Sequence, residues 1–368
     1  MKQIFSSFIY ENPLPHLYPM NSAFPNVCEL SDGRLLAAHQ MGVAFESVDG
    51  TTCLSESLDG GRTWSKPRKI FDKTAQQRPT SECAKVTELA DGRLVMLGYE
   101  FYRDNPDLPL ANPKTGGLLE DFVFWTESSD GGKTWSERHP ISTTWAGHTE
   151  ASAPIYVLQD GSWATPIAGF HAWDGSEVSK NCSRLLRSYD EGKTWNDDTI
   201  CMEFPGNTVI CYEQRMCQLE DGTLVVVAWN EDVITGERLH NHIAISTDNG
   251  KSFSGPIDTG IQGQSSGIAA LDGTKLITLH ALRRDTDEPG VYACIADVSS
   301  GQWKQLSFEK IWTPNVPMIK NTKMAEIFSF IKFGQPGVVR LADGSIMMTL
   351  WICEEGCYKT LAAKYELE

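Results

Sequence analysis

Acidic, basic and aromatic residues recur in this chain at a fixed place relative to a repeated Asp-Gly pair. Glu82, Glu150, Glu213, Arg215 and Gln335 lie six to ten residues before such pairs, at the start of strand-like runs. His39, Asp49, His171, Trp229 and Arg283 lie just past the run that follows each pair, and the same rule adds His148, Tyr212, Arg284 and Trp351. Carboxylates, imidazoles, guanidinium groups and indoles gathered in one place supply what carbohydrate chemistry needs: a general acid, a base or nucleophile, and an aromatic face for a sugar ring. Glu213 is the expected base, with Asp49 or Glu82 as the acid. His39, Glu150, His171, Arg215, Trp229, Arg283 and Gln335 are expected to contact substrate. Structural roles compete with each assignment. Glu213 and Arg215, two apart on one strand, can form an ion pair, a lone His can be a satisfied core residue, and Trp229 can pack between sheets.

The elements that must position these residues are read from two interleaved repeats. One is a strand entering an Asp-Gly turn and leaving as a second strand: Val27–Leu36, Ala84–Met96, Ile155–Pro166, Met216–Val227, Ile268–Leu279 and Val338–Leu350. The other is S-x-D-x-G-x-[TS]-[WF], at Ser57–Trp64, Ser128–Trp135, Ser188–Trp195 and Ser246–Phe253, with a degenerate fifth copy over Ala296–Trp303. Its Ser and Asp accept local backbone N–H bonds, its Gly takes the φ > 0 corner, and its aromatic residue packs on neighbouring sheet. Six units of four antiparallel strands, each needing a neighbour on both faces, predict an all-β six-bladed β-propeller. The sixth unit ends one strand short after Tyr358–Tyr365, and Ile4–Ile9 is expected to complete it, closing the ring. Residues 1–368 are expected to form one domain, with insertions over Phe101–Glu120 and Phe308–Phe333. All inner strands then start on one face of the disc, where the ionisable residues converge on a funnel. The turns occupy the other face.

A net charge of −16 disfavours nucleic acid or an anionic membrane as partner. A carbohydrate is the expected partner, and oligomeric state is not legible. No export signal or transmembrane run is evident, and the ten cysteines lack paired C-x-x-C spacing, so a cytoplasmic protein with reduced thiols is expected. Cys353 and Cys357 form at most half a metal site; neither metal nor cofactor is expected.

The four boxes and the six-unit plan resemble the sialidase (neuraminidase) superfamily across essentially the whole chain. The resemblance implies the propeller fold, and it implies site residues that must be carried over one at a time. The family's F-R-I-P motif places Pro25 on its Pro and Phe24 on its Ile, leaving Ala23 where the first substrate-gripping arginine belongs. The family's glutamate falls on Glu213. The second arginine falls near Trp229-Asn230 and is missing, and a third is Arg283 or Arg284. The tyrosine nucleophile falls on Gln335, and the acid/base aspartate falls on Asp49, with Glu46 as rival. Sialoside hydrolysis by the family mechanism is therefore not expected. An exo-acting glycosidase, a lyase acting on a uronate, and a non-catalytic glycan-binding propeller remain open.

Overall fold

The computed structural model describes residues 1–74, 76–145, 147–176, 180–284, 286–315 and 331–367. Six antiparallel sheets form the six blades of a propeller. The innermost strands are Asn21–Glu29, Thr80–Glu88, the pair His148–Glu150 and Tyr156–Val157, Val209–Gln218, Ser266–Ala270 and Phe333–Arg340. Each blade then adds three strands outward in chain order. In blade six the outer strand is Lys2–Tyr10, paired antiparallel with Cys357–Glu366, so the two ends of the chain share one sheet and the ring closes as expected. Among the described residues the only helix is a single 3-10 turn, Pro205–Asn207, and no helix is long and apolar enough to cross a membrane.

The core lies between blades, not on the axis. A strand such as Leu224–Asp232 reads LVVVAWN because both faces of its sheet are covered, one by each neighbouring blade. Blade one meets blade two through Leu36, Ala38 and Leu54 against Val86, Met96 and Phe124. Blade two meets blade three through Leu97, Val123 and Trp125 against Trp163, Ile167 and Leu186. The closing seam is of the same kind, with Ile9 and Ala362 of blade six against Val27, Leu35 and Ala37 of blade one. Apolar side chains are drawn into these radial seams, which leaves the axis to polar groups.

Four turns join the third and fourth strands in one geometry. In the first, Gly61 N–H donates to Ser57 Oγ at 2.8 Å, and Thr63 N–H and Oγ1 donate to Asp59 at 2.9 and 2.7 Å. Those bonds recur at Ser128/Asp130, Ser188/Asp190 and Ser246/Asp248. Gly192 has φ +81° and stands against the rings of Trp125 and Trp163, so both its conformation and its space exclude a side chain.

Two expectations about the elements need correction. The third inner strand does not begin near Ile155: an earlier piece, His148–Glu150, pairs with the same neighbour as Tyr156–Val157, and the chain between them leaves the ladder around Pro154, which cannot donate to it. The segment from Phe308 is not wholly an insertion, because Lys304–Trp312 is the outer strand of blade five. Residues 316–330 of that segment lie outside the described residues.

Candidate functional site

Inner strands run from the funnel face to the turn face, and three of them carry a bulge at one place. The ladder slips between Ala23 and Asn26, between Tyr212 and Arg215, and between Gly334 and Gly337. At each slip sits a non-glycine residue in the left-handed region: Phe24 (φ 55°), Glu213 (φ 45°) and Gln335 (φ 47°). Each is eight residues before the Asp of its Asp-Gly turn. In blade five Ser265 (φ 60°) plays the same part just ahead of its strand. Such backbone costs about 1–3 kcal/mol per residue and is retained where surrounding bonds over-determine it. Here the freed N–H groups are captured by neighbouring blades: Glu213 N–H donates to Glu150 Oε2 at 2.9 Å, and Gln335 N–H donates to Ser265 Oγ at 2.9 Å.

The bulge turns side chains out of the radial seams and onto the axis. As a result Gln335 of blade six reaches past blade five to donate from Nε2 to Glu213 Oε1 of blade four at 2.5 Å. The other Glu213 oxygen accepts from Trp229 Nε1 at 2.8 Å. Trp229 is stacked on Tyr212, with centroids 4.1 Å apart and planes 17° apart, and Phe170 lies 5.6 Å from Tyr212. Glu213 is thus held by two neutral donors at the edge of an aromatic wall. Glu213 and Arg215 do not form the ion pair their spacing suggested: the bulge separates them, and Arg215 donates to Ser152 Oγ (2.9 Å) and Gln214 O (2.8 Å).

Glu150 is the second carboxyl of the site. It is 8% exposed, and its Oε1 has no partner within hydrogen-bond distance. Burial, reinforced by the negative charge of Glu213, pushes its pKa up to about 7 against the pull of Ser152, the Glu213 amide and Arg215. Tyr99, buried beside Glu150, Cys83 and Glu213, is held far above the usual phenol range, first by burial, and so stays a neutral hydroxyl. Two buried cations flank the carboxyls. Lys85 donates to Phe24 O and lies 3.7 Å from Cys83 Sγ. Arg283 donates to Phe333 O at 2.6 Å over the Trp351 ring, and burial lowers its pKa to about 10. On the same inner strand as Glu150, His148 Nδ1 lies 2.8 Å from buried Asp121.

Glu150, Glu213, Arg215, Trp229 and Gln335 are therefore linked by direct bonds or shared neighbours, and Arg283, just past a blade-five strand, is near enough to Glu213 to feel its charge. The structure puts the remaining expected site residues elsewhere. Glu82 leaves the axis for the seam with blade one, where it accepts from Thr51 Oγ1 (2.6 Å) and Thr52 N–H (2.9 Å) and pairs with Lys73. Its strand carries no bulge, so its side chain stays in the radial seam. His39 is fully buried between Ser22 Oγ (2.8 Å) and Ser55 Oγ (3.1 Å), and burial, with Lys85 nearby, depresses its pKa to about 3. Asp49 is exposed in the 43–50 loop, where it accepts from Val43 N–H. His171 sits under the blade-two insertion, its carbonyl accepting from Leu118 N–H.

Ala23, at the place of the family's first arginine, is buried in an apolar cluster with Phe45, Ile331 and Trp351. Phe45 packs 4.9 Å from Phe24 and 4.6 Å from Tyr358. The wall that would carry a guanidinium is aromatic instead. Sequence reasoning passed over Lys85 and Ser152. A signal was available, since Lys85 stands six residues before its turn Asp, as Arg215 does, and Ser152 eight, as Glu213 does.

No family model and no curated protein matches this chain. Among solved structures it is similar to a protein of unknown function from Dyadobacter fermentans, at 17% identity and TM-score 0.77, over 100% of this chain and 99% of that one. It is also similar to the NanB sialidase of Streptococcus pneumoniae (13% identity, TM-score 0.66, 98% of this chain and 70% of that one). The intramolecular trans-sialidase of Ruminococcus gnavus is a third (13% identity, TM-score 0.63, 94% of each chain). At these identities the likeness is one of fold: this chain has the sialidase-like six-bladed propeller.

Proposed function

On a propeller fold shared with the sialidases, we propose that this chain is a glycoside-cleaving enzyme other than a sialidase. It would bind a sugar in the axial funnel against the Tyr212–Trp229 wall. The observation that carries this reading is the pairing of two carboxyls in unlike environments. Glu150 is buried with a pKa pushed up to about 7, next to Glu213, whose oxygens are fixed by Trp229 and Gln335. Carboxyls in environments as unlike as these can divide acid and base work between them. Glu150 is assigned as general acid, in place of Asp49 and Glu82, and Glu213 as the base or charge-stabilising carboxylate. The apolar surroundings of Ala23 and the amide of Gln335 argue against sialosides, because a guanidinium clamp and a phenol nucleophile would have to stand there.

A lyase acting on a uronate is the second reading, favoured by Arg215 and Arg283 beside the carboxyls and by the oriented His148–Asp121 pair as a proton acceptor. A panel of chromogenic glycosides, uronate oligosaccharides and a sialoside separates the readings. Hydrolysis yields a free reducing sugar, and elimination yields an ultraviolet-absorbing unsaturated product. Glu213→Gln and Glu150→Gln are each expected to lower turnover by about 10²–10⁴-fold, the usual worth of a positioned acid or base. A full panel without product sinks the enzymatic reading in favour of glycan binding, and variants as active as the parent sink the assignment of Glu150 and Glu213.

A further inference from the structure

Beneath the carboxyls, on the turn side of the disc, the axis opens into a cavity of about 650 Å³ walled by the lower halves of the inner strands. Its ceiling includes Lys85, Arg215, Ser152 and Gln335, and Asn26 and Thr349 lie on its wall. Lys85 is 4% exposed, and the partners of its ammonium are a carbonyl and a thiol, both uncharged at neutral pH. Arg215 donates to a hydroxyl and a carbonyl. Among the described residues neither cation has a carboxylate within 4 Å, and the guanidinium is near enough to the ammonium to work against its charge. Glu213, whose charge acts on Lys85, has its two oxygens occupied by Trp229 and Gln335. Asn26 accepts from Val86 N–H through Oδ1, which leaves its amide NH2 as a further donor on this wall.

Two like charges desolvated side by side are costly unless a counter-charge sits between them. The groups in hydrogen-bond contact with this pair are all neutral, and the carboxylate of Glu213 acts on Lys85 only at longer range, so the contact still to be made is with an anionic acceptor. We propose that the axial cavity holds a small inorganic anion between the Lys85 ammonium and the Arg215 guanidinium, entering from the turn face and not from the funnel. At the turn-side mouth Glu29 accepts from Ala342 N–H and Glu88 accepts from Ser31 N–H and Oγ; both keep their negative charge, which the buried Lys85 and Arg215 must outweigh. Arg340, which pairs with Asp272, adds a cation to the cavity lining. The anion site shares Arg215 and Gln335 with the candidate site above it, but it needs no sugar, so chloride binding and turnover are read by separate measurements.

Chloride is the probe. The chlorine-35 resonance of the full chain at constant ionic strength, with gluconate as the replacement salt, should broaden in excess of a protein blank. The broadening should saturate with chloride and reverse on adding inorganic phosphate or bromide. Lys85→Met should abolish it while circular dichroism stays unchanged. Should that variant fail to fold, Arg215→Gln replaces it, and a bromide-soaked crystal of the unaltered protein gives a direct reading as an anomalous peak between Lys85 Nζ and the Arg215 guanidinium. Absence of excess broadening, broadening untouched by the substitutions, or bromide bound only elsewhere overturns the proposal.

Discussion

Replacing Glu150 by glutamine isolates the electrostatic strain of the site and measures it without any substrate. In the folded chain burial and the Glu213 charge move the Glu150 pKa from the ordinary 4.5 up to about 7. At about 1.36 kcal/mol per pH unit, that displacement corresponds to roughly 3 kcal/mol. The folded pKa is raised, so the native state binds the proton more tightly than the unfolded chain. Stability from this group is fully present below about pH 4.5 and is lost as pH rises to about 7, above which the loss is constant. Glutamine keeps the acceptor for Glu213 N–H and cannot ionise. The variant should therefore match the parent near pH 4 and exceed it above pH 7 by about 2–3 kcal/mol, a few tenths being conceded to the altered hydrogen bonds. With an unfolding entropy of about 2.1 cal/mol/K per residue over 368 residues, this amounts to roughly 3–4 °C in melting temperature. Calorimetry of both proteins from pH 4 to 8.5 is the assay, and Glu213→Gln is the control, because removing that charge should flatten the parent's pH dependence in part. Parallel stability curves for parent and Glu150→Gln would refute the strained-carboxyl argument, and with it the assignment of Glu150 as an acid held protonated near neutrality.

Two further outcomes follow from the fold. Ser57→Ala removes the acceptor for the buried Gly61 N–H and should cost about 1–3 kcal/mol, read as a lowered urea midpoint at unchanged slope. Deleting residues 2–10 strips the outer strand from blade six, exposes the edge of Cys357–Glu366 and uncovers the seam filled by Ile9; size-exclusion chromatography should show aggregate in place of monodisperse protein, and an unchanged elution and melting temperature would refute the closure argument.

Much of the fold could be read from local chemistry because a blade is specified locally. Asp-Gly turns, the Ser/Asp/Gly boxes and apolar runs buried on both faces act within about 60 residues of one another, so blade count, strand order and ring closure all followed from spacing. The exceptions have local causes too: Pro154 breaks an inner strand, and Lys304–Trp312 carries too many polar residues on its outer edge to look like a strand. The site was legible only in part. Glu213, Arg215, Trp229 and Gln335, which the structure brings together, could be grouped in advance because the turns set their register. Glu82 obeys the same spacing and yet points into a seam, because its strand has neither a bulge nor a left-handed residue to swing it to the axis, and His39, on a second strand, is held between Ser22 and Ser55. Nothing in the sequence near Glu213 announces φ 45°, since glutamate has no preference for that region and is held there by the side chain of Glu150, 63 residues earlier.

The division between the two levels is physical. Sequence by itself determined which segments pair, since turn chemistry and two-sided apolar runs are properties of neighbouring residues, and it determined that Ala23 and Gln335 stand where an arginine and a tyrosine would be needed for sialosides. Tertiary structure decided which ionisable groups share an environment. Glu213 meets Gln335 across 122 residues, Lys85 and Arg215 line one cavity with only neutral groups in hydrogen-bond contact, and burial pushes the Glu150 pKa up to about 7. Proton affinity and charge pairing depend on burial and on distances across the axis, and those exist only once all six blades have closed around it.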